Sequence, residues 1–164
     1  MAPRLAAVAL TVAALSPLPG VTAETFQSDQ WRTECDGAGP GAQCSIMVPF
    51  HQRSARGVDG SFVLAIGVDS GVAAIVGKPA PLAATLQVDK NPRIGCTGPG
   101  YCVFAPGGAL AAAGQLAAGS LVLIDVMTKD GSYHSSLSTQ GYRAGLAKLK
   151  AWSYPAIGPR RPTR

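Results

Sequence analysis

Apolar residues in this chain come in short runs, and glycine, proline or aspartate stands between most of them. Such punctuation suits short strands joined by turns. Residues 44–50 read as a strand that stops near Pro49, and residues 54–60 read as a turn. Residues 61–68, SFVLAIGV, form an apolar run long enough to be buried on both faces. Asp69-Ser70-Gly71 turns the chain into a strand at 72–76, which Gly77-Lys78-Pro79 breaks. Leu82, Ala84, Leu86 and Val88 alternate as in a half-buried strand, and a turn follows at 89–92. Residues 101–104 carry the last cysteine into another strand. The run LVLIDVM at 121–127 is a strong strand, Lys129-Asp130-Gly131 is a hairpin turn, and 133–137 should pair back.

Two segments depart from the strand period. Residues 109–118 are rich in alanine and leucine and predict a short helix ended by Gly119. Tyr142, Leu146 and Leu149 fall at i, i+4 and i+7, one face of a helix that Ser138 or Thr139 caps. Seven or so strands with a late helix predict a mainly β fold, a β-sandwich first and a closed barrel as the alternative.

The N-terminus changes the picture. Arg4, an apolar run at 5–15, a Pro/Gly break at 16–20 and small residues at 21–23 form an export signal. The run is too short to span a bilayer, which needs about 20 residues. The expected organisation is a signal peptide at 1–23, one domain at 24–153 and a disordered basic tail at 154–164. The expected location is the bacterial periplasm, the outer surface or the medium. No later segment reads as a membrane span, since 105–118 is interrupted by Gly107, Gly108 and Gly114.

Export decides how the four cysteines read. Cys35 and Cys44 form one close pair, Cys96 and Cys102 another. An even count in an exported chain predicts disulfides. Four cysteines allow three connectivities. The turn-forming segments inside each pair favour Cys35–Cys44 and Cys96–Cys102. The spacing matches neither a C-x-x-C redox motif nor a zinc site.

Charge adds little. The chain carries +5, of which Arg4 belongs to the signal and part to the tail PRRPTR at 159–164. The absence of a basic stripe interleaved with aromatics argues against nucleic acid as a partner. A mild attraction to anionic surfaces leaves peripheral membrane association open.

Candidate chemistry is sparse. His51 and His134 are the two histidines, the residue type whose unperturbed pKa lies near neutrality. His134 sits beside Ser135 and Ser136, but adjacent strand residues point to opposite faces, so Ser135 is badly placed to be activated. His134 reads as a solvent-facing strand residue. Asp59, Asp69, Asp89 and Asp130 sit in turns, whereas Asp125 interrupts a strong strand and should face outward with Leu123 and Met127, paired with a cation. The glycines at 37–41 and 98–100 form no phosphate loop. Trp31 reads as a core or rim aromatic near the first disulfide. No metal ligand set and no cofactor site emerges.

Several marks recur in a fixed order: Trp31, Cys35, Cys44 with Ile46, LAATLQVD at 82–89, GCTGPGYCVF at 95–104 and SLSTQGYRAGLAKL at 136–149. In these the chain resembles the invasion-associated locus B family of exported bacterial proteins. The resemblance implies an immunoglobulin-like β-sandwich, export, and host-cell invasion in some members. It brings no catalytic residues. The expectation is a non-enzymatic binding module with an envelope or host protein as partner. The alternative is a periplasmic enzyme or enzyme inhibitor with its site near His134.

Overall fold

The structure is a computed structural model that describes residues 24–37, 42–68 and 70–153. The expected export signal, the basic tail and Asp69 lie outside the described residues. The strands are β1 (Glu24–Ser28), β2 (Trp31–Cys35), β3 (Cys44–Arg53), β4 (Asp59–Gly67), β5 (Ala73–Lys78), β6 (Ala83–Val88), β7 (Ile94–Thr97), β8 (Tyr101–Val103), β9 (Leu121–Thr128) and β10 (Gly131–Ser138). The helices are α1 (Pro106–Ala118) and α2 (Gln140–Ser153). The fold is mainly β with a C-terminal helix, as the sequence predicts. Among the described residues no helix is long and apolar enough to cross a membrane.

All ten strands join in one antiparallel sheet, ordered β1-β2-β3-β4-β5-β8-β7-β6-β9-β10. The first half of the chain is a plain meander, β1 to β5. The second half is joined to it by the short β5–β8 ladder, Ala74 to Val76 against Tyr101 to Val103. The sheet curls so that β10 approaches β3 without forming a ladder with it.

Both disulfides are local. Cys35–Cys44 spans 9 residues and Cys96–Cys102 spans 6. Closing loops of this size stabilises the fold by about 2–3 kcal/mol each in the chain-entropy account.

Strand alternation puts one set of side chains inside the curl. Phe62, Leu64 and Ile66 of β4, Leu86 and Val88 of β6, and Val122, Ile124 and Val126 of β9 are all buried there. The run at 61–68, expected to be buried on both faces, is fully buried on the inner one only, and Val63 and Ala65 are half-buried on the outer one. Leu82 precedes β6 and is exposed, so the alternation starts at Ala84.

The helices close the inner side. α1 inserts Ala109, Ala112 and Leu116, and α2 inserts Tyr142 and Leu149. α1 begins at Pro106, where a missing N–H costs nothing. It does end at Gly119, but in extended backbone, not in the left-handed conformation. Glycine is needed there because a Cβ would collide with Val88. Asp89 then accepts the N–H groups of Ser120 and Leu121, both at 3.0 Å, and fixes the start of β9.

α2 docks on β1 and β2 through two glycines as well as its apolar stripe. A Cβ at Gly141 would strike the Ser28 carbonyl oxygen and Trp31, and one at Gly145 would strike Thr33. Trp31 is a core residue. Its ring lies edge-on to Tyr142 at 5.3 Å, and its indole N–H donates to the Ser138 carbonyl at 2.7 Å. Ser138 and Thr139 both serve the start of α2. The Ser138 hydroxyl accepts the Gln140 N–H, while the Thr139 carbonyl accepts that of Arg143.

Candidate functional site

The outer face of the β6–β9–β10 region holds the densest polar cluster that touches the residues singled out by the sequence. Its position follows from the hairpin. A two-residue turn, Lys129-Asp130, sets Thr128 opposite Gly131. Counting back along both strands places Asp125 opposite His134. β6 lies on the other side of β9 and places Thr85 opposite Asp125. Thr85, Asp125 and His134 therefore form one row across three strands.

The contacts are direct. His134 Nδ1 lies 2.7 Å from Asp125 Oδ1. The second carboxylate oxygen, Oδ2, accepts from the Thr85 hydroxyl and from the Arg93 guanidinium, each at 3.4 Å. Arg93 is steadied in turn by Gln87, whose amide oxygen accepts the Arg93 Nε–H at 3.2 Å. The Asp125 side chain is 34% exposed and that of His134 is 73% exposed, so the pair is wet, and its ion pairing adds little stability. Ala83, Thr85, Arg93, Met127, Ser132 and His134 line a shallow cleft of about 240 Å³ here.

This geometry sets what the cluster can offer a ligand. A carboxylate on Nδ1 orients the imidazole and leaves Nε2 to meet a ligand as donor or acceptor. Ser135 faces inward and is buried, as alternation demands. Ser132 shares the outer face, two residues from His134. Among the described residues the only hydrogen-bond partner of the His134 ring is Asp125, so no nucleophile–base contact is assembled.

The structure keeps the two histidines apart. His51 lies on β3 and lines other clefts, one with Ser135 and Ser136 and one with Arg53, Asp59 and Lys78. Arg53 grips Asp59 there at 2.8 and 3.3 Å. The hydrogen bond and then the charge of Arg53 hold Asp59 below the ordinary carboxylate range. The outward, cation-paired placement of Asp125 is as the sequence predicts. Thr85 and Arg93 went unrecognised as its partners. Their signals were the outward position of Thr85 in an alternating strand and an arginine one residue before β7.

The wider outer face is apolar along its register lines. Pro49, Val63, Val76 and Tyr101 form one row across β3, β4, β5 and β8. A second row runs Met47, Ala65, Ala74, Val103, Thr97, Ala83, Met127 and Ser132, from β3 to β10. Tyr101 and Met127 are each 58% exposed, with Val76, Val103 and Leu123 also open to solvent. Among the described residues no group of three or more His, Cys, Asp or Glu side chains is arranged to hold a metal ion. No family model matches this chain, and neither does any curated protein or solved structure.

Proposed function

We propose that this chain is an exported, non-enzymatic binding module of the invasion-associated locus B type. It engages a partner protein of the envelope or of a host through the outer face of the sheet. The observation that carries the reading is the set of exposed apolar side chains on this face, Val76, Tyr101, Val103 and Met127, beside the Thr85–Asp125–His134 row. Large apolar side chains beside a few oriented polar groups are the composition of a recognition surface. Local disulfides fit an oxidising compartment.

A photo-crosslinking residue placed at Tyr101, Met127 or Leu110 in the exported chain tests this. Leu110 is 72% exposed but sits on α1. A specific adduct is expected from Tyr101 and Met127 and not from Leu110. Equal labelling from all three, or none, overturns the proposal. A second reading, an enzyme or enzyme inhibitor acting at His134, is favoured by the carboxylate on Nδ1 alone. A turnover activity lost in His134→Ala would establish that reading in place of the first.

A further inference from the structure

We infer that the Cys35–Cys44 bridge is a thiol-exchange site, opened at the Cys44 sulfur by a dithiol reductant, while Cys96–Cys102 is a closed structural bond. This goes beyond the binding role proposed above. The two bridges differ in what covers them. Cys96 is 6% exposed and Cys102 is fully covered. They pair across the ladder with Ala84 and Ile75, both inner-face residues of the core. Reaching either sulfur requires the core to open.

Cys35–Cys44 sits instead at the end of the β2–β3 ladder, as its last rung. Cys35 is only 4% exposed. Cys44 is half-buried and borders a cleft of about 390 Å³ with Asp36, Gln43, Ser45, Gly67 and Ser70. Cys44 is the member of the pair that borders open space, and attack on its sulfur makes Cys35 the leaving group. The rung also lacks backbone bonds of its own. The Cys44 carbonyl accepts from Val68 on the β4 side, so alternation leaves Cys35 and Cys44 a non-hydrogen-bonded pair, and their Cα atoms stand 4.1 Å apart. Opening the bridge therefore breaks no ladder hydrogen bond between them.

The step balances as a two-electron exchange. A thiolate of the reductant attacks Cys44 Sγ. The S–S bond breaks, its electron pair leaves on Cys35, and that thiolate takes a proton from water. The mixed disulfide on Cys44 is resolved by the reductant's second thiol, which attacks the reductant's own sulfur and expels Cys44 as a thiol. The protein ends with two thiols and the reductant with a disulfide. β2 keeps its rungs from Arg32–Met47 to Glu34–Ser45, and beyond the bridge the Asp36 N–H still donates to the Gln43 carbonyl at 3.1 Å. Reduction thus removes a covalent tie at the end of the β2–β3 ladder and leaves the surrounding hydrogen bonds in place.

The oxidised wild-type chain carries the test, with no variant needed. Dithiothreitol is added under native conditions, free thiols are capped with N-ethylmaleimide at intervals, and each cysteine is mapped by peptide mass spectrometry. Cys35 and Cys44 should be capped at least about ten-fold faster than Cys96 and Cys102. Glutathione in place of dithiothreitol should leave its adduct on Cys44. Equal rates for the two bridges, earlier opening of Cys96–Cys102, or an adduct on Cys35 overturns the inference.

Discussion

Tyr133 and His134 are neighbours in the chain and belong to opposite worlds. Tyr133 turns inward and lies edge-on to Phe62 at 5.0 Å, and Phe62 stacks on Phe50 at 5.5 Å. His134 turns outward to Asp125 and water. Along β9 the same parity separates Val122, Ile124 and Val126 from Leu121, Leu123, Asp125 and Met127. An inner residue loses transfer energy and leaves a cavity when truncated. An outer residue is already in water and loses little. Stability and the outer surface can therefore be altered separately in one hairpin, by choosing odd or even positions.

The largest effect should come from inside. Ile124→Ala removes a fully buried side chain opposite Leu86 and should cost about 2–5 kcal/mol in urea unfolding. A loss below about 1 kcal/mol would break the contrast between faces. Gly141→Ala forces a Cβ against Ser28 and Trp31 and should cost about 1–3 kcal/mol, with α2 losing hydrogen-exchange protection first.

Tyr142 tests the inner face by titration. Burial pushes its hydroxyl from 10.0 up to about 12. Between those values the unfolded chain has released the proton and the folded chain has kept it. Stability from this group is thus full below pH 10 and declines as pH rises toward 12. Tyr142→Phe should flatten that decline in alkaline denaturation curves. The smallest stability effect belongs outside. Met127→Ser and His134→Ala should each shift unfolding by no more than about 0.5 kcal/mol and, on the binding role proposed above, weaken capture of the partner. A large loss of stability in either would show that the outer face is structural.

Much of the fold was legible because alternation is a local signal. The strands around Leu64, Leu86 and Ile124 and the helical stripe of Tyr142, Leu146 and Leu149 can be read directly. β1, ETFQS, carries one large apolar residue, and β7, IGCT, spans four positions, too little pattern to register. The pairing of β8 with β5 depends on residues far apart in sequence, which no local period encodes. Gly141 and Gly145 are spaced for close helix docking, but a stripe defined by apolar residues passes over them. The Asp125–His134 pair was legible in principle, since a two-residue turn fixes the register. Arg93 was not, because it reaches the site from the approach to β7.

The Trp31–Ser138 hydrogen bond joins residues 107 apart, and α2 then packs on the β1–β2 hairpin. The disulfides span only 9 and 6 residues. In a chain that crosses a membrane N-terminus first, each bridge has both its cysteines on the far side soon after the first emerges. The core is incomplete until α2 supplies Tyr142 and Leu149. Under the export proposed above, closing the cross-links does not wait for the end of the chain, whereas closing the interior does.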